Sequence, residues 1–308
     1  MAKYIESADK YRYEFYRLKR EYEEHIFGDK DVNPKQFFNY VRRQTSVCSS
    51  IPCMKTDDGD LIATDGQKAE LFSEYFANVF VQDNNIMPPF SVDNVGEVNA
   101  FTCDTRCLVK IVKKLKSGSS PGPDMINAHF LKNIIANIAN PLCTLFDKCL
   151  SEGFVPNEWK VAYVIPIHKK GDPQSPDNYR PVSLTSVLCK ILERLVRNQL
   201  LDYLRSHNIF PSNQHGFVAK KSTVSNLIEC LDDWTSSFDR AVQTDIIYLD
   251  YSKCFDSVVH SKLLFKLSNY GFNGSSFRWI KNFLTGRKQY VRIGTSLSTS
   301  RDVISGVP

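Results

Sequence analysis

The run Val161-Ala162-Tyr163-Val164-Ile165-Pro166-Ile167 is short, apolar and rich in β-branched and aromatic residues. It breaks into the polar turn His168-Lys169-Lys170-Gly171-Asp172-Pro173, and Tyr179 to Leu184 reads as the returning strand. A hairpin of this kind commits the chain to a sheet with antiparallel pairing. Two further runs read as strands: Gln289-Tyr290-Val291-Arg292-Ile293, and Ile246-Ile247-Tyr248-Leu249, which ends at Asp250. Helical periodicity fills most of the sequence between them. With mixed element order and no internal repeat, the fold class expected is α+β, helices beside a largely antiparallel sheet.

The helices are read from apolar spacing. Residues 3–27 place Tyr4, Ala8, Tyr11, Phe15, Leu18, Tyr22 and Ile26 on one stripe, expected by default to dock on a core. Asn33-Pro34 opens a short helix through Phe37, Phe38 and Val41. Thr64 and Gln67 form a capping box ahead of Leu71, Phe72, Tyr75, Phe76 and Phe80. Residues 82–100 have no period and read as a linker, which puts a domain boundary near residue 100. A helix from 105 carries Lys110, Lys113, Lys114 and Lys116 into the loop Ser117–Asp124. Helices are expected at 126–138, 141–152, 185–206, 222–238, 260–269 and 274–285. The domains expected are therefore a helical extension over 1–100, a middle region over 101–240 and a third over 241–308.

Composition narrows the class. Of 308 residues 42% are hydrophobic and the net charge is only +5, which excludes global disorder. No window approaches the ~18 uninterrupted apolar residues of a membrane helix. The charged start Met1-Ala2-Lys3-Tyr4-Ile5-Glu6 does not suit a secretion signal, so an intracellular protein is expected. Nine scattered cysteines suit a reducing compartment. Cys103 and Cys107 lack a second ligand pair, so no zinc site is expected. Charge is segregated: residues 51–100 hold nine acids against two bases, and residues 251–300 hold eight bases against one acid. A basic block suits a polyanion, although a solvated surface would carry it equally well.

Three features could carry chemistry. An apolar strand that delivers Asp250 at its end is a rigid way to present a carboxylate to a divalent metal. Asp256 is six residues on, which in continuing strand would be ~20 Å away, too far to share an ion. It is read as bracing a turn after Ser252. Lys169 and Lys170 at the hairpin tip, with Arg180 in the return strand, could close on a triphosphate. Each has a plainer alternative: a strand-terminating acid, and solvated charges on an exposed tip.

Several blocks resemble one family. VAYVIPIHKKGDPQSPDNYRPVSLTSVLCKILERLV (161–196), NQHGFVAKKST (213–223) and IIYLDYSKCFDSV (246–258) are similar to the reverse transcriptases of non-LTR (LINE-type) retrotransposons. So are SPGPD (120–124) and the final SGVP (305–308). NPKQFFNYV (33–41) and KAELFSEYFANVF (68–80) resemble the connector that joins endonuclease to polymerase in jockey- and CR1-like elements. Group II intron reverse transcriptases and RNA-dependent RNA polymerases are more distant alternatives.

The resemblance implies a partial right-hand polymerase: a helical extension, the fingers and the start of a palm. Asp250 would be the first metal-binding aspartate, with the Tyr251 carbonyl as a further ligand, in a site that holds two Mg²⁺ ions in intact family members. Lys169 or Lys170 with Arg180 would bind the nucleotide phosphates. Lys253 and Cys254 would offer backbone N–H groups, and Phe255 would press on the sugar and exclude a 2′-hydroxyl. Gln214, His215, Gly216 and Phe217 would lie against the template. The partners implied are an RNA template, a DNA primer and a dNTP, in nucleus or cytoplasm, with no membrane.

The sequence departs from the family at Val218, where arginine is usual, at Lys220-Lys221, where Gly-Arg is commoner, at Cys254, where alanine is usual, and at Met125, where glycine is typical. The family's double-aspartate hairpin and thumb would follow Pro308, so the chain alone is expected not to polymerise DNA. A non-catalytic nucleic-acid-binding module, using the 251–300 block and the Lys110–Lys116 stretch, is the alternative.

Overall fold

The computed structural model describes residues 13, 14, 16–24, 40, 51–56, 59–89, 96–98 and 100–307. The chain divides into two compact units, Met1–Ile51 and Pro52–Pro308. In the first, residues 13, 14 and 16–24 are helical. Arg17 pairs with Glu14 at 2.7 Å and Glu21 at 2.8 Å, one helical turn to either side. Of the expected stripe, Leu18 and Tyr22 are exposed rather than docked, with the Tyr22 ring 5.9 Å from Tyr40. The rest of that stripe, and the helix expected from Asn33, lie outside the described residues apart from helical Tyr40.

The second unit opens with a small antiparallel pair, β1 (Met54–Lys55) and β2 (Leu61–Ile62), next to which Thr56 N–H donates to the Asp60 carbonyl at 2.9 Å. Helix α1 (Asp65–Ala77) follows. The expected capping box is not made: Thr64 Oγ1 donates to Gln67 Oε1 at 2.6 Å instead, and the Thr64 side chain makes no bond to the helix backbone. Helix α2 (Thr105–Lys113) is capped by Asp104, which accepts from Cys107 N–H. Helix α3 (Ala128–Glu152) is a single helix across Pro141, where two were expected. Its buried face, Leu131, Ile135, Ala139, Leu142, Phe146 and Leu150, is continuous through the proline, and that packing outweighs the lost backbone bond.

Strands β3 (Val161–His168) and β4 (Tyr179–Thr185) form the expected hairpin, in register from Ala162↔Thr185 to His168↔Tyr179. Helices α4 (Val187–Ser206), α5 (Thr223–Asp239), α6 (His260–Asn269) and α7 (Gly274–Leu284) fall where periodicity put them. They precede β5 (Arg287–Ile293), β6 (Ser296–Leu297) and β7 (Arg301–Val303). The sheet order is β4-β3-β5-β6, with β7 also on β5, and the central β3–β5 pair is parallel. Val164 and Val291 face each other across that pair, both buried. The main core lies among α2, α3, α4, α6 and α7, where Trp279 stacks on Phe283 at 5.1 Å. The fold is α+β.

The expected boundary near residue 100 does not coincide with a break. Residues 52–100 belong to the same compact unit as the sheet, and α1 packs on β5, β6 and β7. The expected linker is tied down as well: Val98 N–H donates to the Gly271 carbonyl at 2.8 Å and the Val98 carbonyl accepts from Asn273 N–H at 3.0 Å.

Candidate nucleic-acid and nucleotide site

The hairpin presents its cations to solvent. Lys169 N–H closes the turn on the Asn178 carbonyl at 2.7 Å, and Lys169, Lys170 and Arg180 are exposed. No hydrogen bond or ion pair among the described residues occupies their side chains. Arg180 sits opposite Ile167 on the edge strand. Its neighbour Tyr179 points to the other face, where its ring meets Phe72 of α1 at 4.8 Å and its hydroxyl donates to the Pro173 carbonyl.

The block Gln214–Phe217 is held by one buried side chain. His215 is 6% exposed; its Nδ1 lies 2.9 Å from Ser225 Oγ and its Nε2 lies 2.8 Å from Glu229 Oε2. Both partners belong to α5, and Ser225 also completes the capping box with Ser222. The hydrogen bond from His215 holds the Glu229 carboxyl below the usual glutamate value. The loop thus projects Phe217 outward, 82% exposed and at φ 62, a left-handed conformation rare for an aromatic residue. Its ring meets Phe255 edge-on at 5.7 Å.

The strand expected at Ile246–Leu249 is not formed. Residues 243–250 have no regular structure, and Ile247, Tyr248 and Leu249 are 82%, 80% and 84% exposed. An apolar β-branched run becomes a strand only where another strand completes its hydrogen-bond ladder, and no described strand pairs with it. Asp250 and Tyr251 are therefore exposed at the end of an unpaired segment, and among the described residues Asp250 makes no hydrogen bond or ion pair with Arg180, Lys169 or Lys170.

Beyond Asp250 the chain turns rather than continuing. Asp256 and Ser257 N–H groups both donate to the Lys253 carbonyl, at 3.0 and 3.1 Å. Lys253 is at φ 50, its N–H and that of Cys254 make no backbone bond among the described residues, and its Nζ lies 5.3 Å over the Tyr75 ring. Asp256 braces this turn as expected: its carbonyl accepts from Ser305 Oγ at 2.8 Å, and burial pushes its carboxyl above the usual value. Gly306 lies so close that a Cβ there would stand 3.1 Å from Asp256 Cα. Its N–H donates to Val258, and its carbonyl lies 2.7 Å from the buried His260 Nε2. The 305–307 segment thus locks the Phe255–Val259 turn in place.

Residues 167–308 match the reverse transcriptase (RNA-dependent DNA polymerase) family. They belong to the non-LTR retrotransposon reverse transcriptases. The chain is 33% identical over 202 residues to the probable RNA-directed DNA polymerase from transposon BS of Drosophila melanogaster, a match covering 65% of this chain and 22% of that protein. It is 30% identical over 278 residues to the RNA-directed DNA polymerase from mobile element jockey of Drosophila funebris, covering 87% of this chain and 30% of that protein. It is 26% identical over 277 residues to the probable RNA-directed DNA polymerase from transposon X-element of Drosophila melanogaster, covering 85% and 30%. The chain therefore spans less than a third of the length of these relatives.

The structure brings the Gln214–Phe217 loop against Phe255 and seats Lys253 over Tyr75 of α1. Among the described residues no hydrogen bond or ion pair joins the hairpin cations to Asp250. Reverse transcriptases generally use divalent metal ions, but among the described residues no group of three or more His, Cys, Asp or Glu side chains could hold one. One exposed carboxylate and a carbonyl do not form a two-ion donor set, so the described residues do not fit that cofactor.

Sequence reading missed two contributors. Tyr75 lies on a helix assigned to the connector, and only tertiary packing places it under Lys253. A cationic face of α4, Lys190, Arg194 and Arg197, was readable from its i, i+4, i+7 spacing.

Proposed function

We propose that residues 52–308 form the fingers and the first part of the palm of an RNA-directed DNA polymerase, the right-hand architecture in partial form. Lys169, Lys170 and Arg180 meet the phosphates of an incoming dNTP, and the free N–H groups of Lys253 and Cys254 assist. Phe255 faces the sugar, and Gln214 to Phe217 support an RNA template paired with a DNA primer. The observation that carries this reading is the edge-on contact of Phe217 with Phe255, which joins the template-side loop to the nucleotide-side turn. Free guanidinium and ammonium groups suit phosphate, and an exposed ring suits a base or sugar face.

In this reading Asp250, with the Tyr251 carbonyl, contributes one part of a two-Mg²⁺ site in the whole polymerase. Phosphoryl transfer requires further carboxylates seated beside the 246–251 segment. The chain alone therefore binds a primed RNA but does not extend it. Incubating the purified chain with Mg²⁺, dNTPs and a DNA primer annealed to RNA should show retention of the hybrid without extension. Robust extension would overturn the inactivity, and absence of hybrid binding would overturn the polymerase reading itself.

A further inference from the structure

Helix α5 runs for 17 residues, and none of them is buried. Val224, Leu227, Ile228, Leu231 and Phe238 stand at i, i+3, i+4, i+7 and i+14, which puts them on one seam, each more than half exposed. His215 does not cover that seam, because the Ser225 and Glu229 side chains it meets project from the other side of the helix. A helix of this length with no buried face is marginal in water, so the seam is built to be covered. The chain passes from α5 straight into the 243–250 segment: Ala241 N–H donates to the Phe238 carbonyl and Val242 N–H to the Ser237 carbonyl, both at 2.9 Å. From Ile246 to Ser252 no backbone N–H or carbonyl takes part in a hydrogen bond among the described residues.

An apolar run with an open backbone ladder is a template for another strand. Seam and run together present apolar surface on the order of 1,000 Å², above the ~800 Å² that each partner gives to a stable pair. The run is also complementary to itself. Two copies paired antiparallel about Tyr248 set Ile247 opposite Leu249 of the second copy, Ile246 opposite its Asp250 and Asp245 opposite its Tyr251. No like charges face one another in that register, and identical edges paired this way close on a two-fold axis. Helix α5 carries four acids, Glu229, Asp232, Asp233 and Asp239, and no base, all of them off the seam. Their repulsion across a symmetric contact is relieved by salt.

We propose that the partner of this surface is a second copy of the chain, in a two-fold dimer that pairs the two 246–250 segments as an antiparallel ladder and covers the two α5 seams. The two Asp250 side chains then stand about 13 Å apart along the ladder, too far to share an ion, so the dimer does not complete a metal site. Sedimentation velocity of the full chain across a concentration series should show a monomer–dimer equilibrium that tightens as salt rises, the opposite sign to nucleic-acid binding. I247D/L249D and L227D/L231D should each weaken association roughly tenfold or more, because they set like charges against one another in the interface. Thermal unfolding of the monomer should be unchanged in both, since these side chains lie in solvent in the single chain. Register is read by cysteine pairing: Y248C oxidised with copper phenanthroline should give a 248–248 disulfide on peptide mapping, and I246C should not link to itself. Should either aspartate variant unfold, the Y248C link decides.

A monomer at every concentration, or open-ended aggregates in place of a dimer, would overturn the proposal. An I246C link as abundant as that of Y248C would overturn it as well. Association that weakens as salt rises would assign the contact to a bridging polyanion, and 246–250 amides protected from exchange in the monomer would mean that the chain covers its own strand; either result overturns the dimer. The polymerase reading fails separately: a dimer that does not bind primed RNA overturns that reading alone, and a monomer that binds it overturns the dimer alone.

Discussion

Met125 shows how one side chain can work against its backbone. It occupies φ 57, exposed, just after the Pro123-Asp124 turn. A Cβ in the left-handed region costs roughly 1–2 kcal/mol, so M125G should stabilise the chain by about 1 kcal/mol in thermal or urea unfolding. A destabilised variant would mean that the methionine makes a compensating contact. His215 carries the opposite lesson, since a side chain expected to touch the template is buried and acts through its partners. Glu229 is held below its ordinary value by His215. Its contribution to holding the loop is therefore complete above the ordinary glutamate value and is lost as pH falls through the lowered one. Amide exchange over 211–221 should accelerate on acidification through that window in the wild type, and E229Q should remove the acid-dependent change.

At the scale of elements, local pattern was a good guide wherever an element finds its partner nearby in the chain. The 161–185 hairpin is an example: alternation along β3, the polar tip and the return strand were all readable, and the register agrees. Helices α4 to α7 followed their apolar periods in the same way. Three features were not readable, each because its cause lies far away in sequence. The 246–249 run has the composition of a strand, yet it lacks a partner among the described strands, so its side chains lie in water. The 82–100 stretch lacks a period, yet Val98 is pinned between Gly271 and Asn273. The break expected between 138 and 141 did not occur, because the face of α3 on either side of Pro141 packs on one core. That proline removes a backbone donor and crowds the preceding turn, a cost of up to ~3 kcal/mol. P141A should therefore raise stability by about 1–3 kcal/mol in urea unfolding. A loss of stability would show that the core is fitted to a bend at this point.

For the molecule as a whole, the family was readable from ordered blocks, and the structure adds how those blocks are held. The Phe255 turn is gripped by Ser305 and Gly306, the Gln214–Phe217 loop by His215 and α5, and the tip end of the hairpin by α1 through Phe72 and Tyr179. Site residues separate accordingly. Phe217 meets Phe255 and Lys253 meets Tyr75, whereas Asp250 stands exposed on a segment with no strand beside it. The charge that sequence windows put in 251–300 is only part of the picture, because α4 adds a cationic face that no window sum revealed. The central claim, that this unit grips a primed RNA through its phosphates, is tested most directly by titrating a labelled RNA–DNA primer–template with the wild-type chain at increasing salt. The account predicts a linear fall of log affinity with log salt, spanning several phosphate contacts. Affinity that stays flat across the salt series, or no complex at low salt, would contradict it.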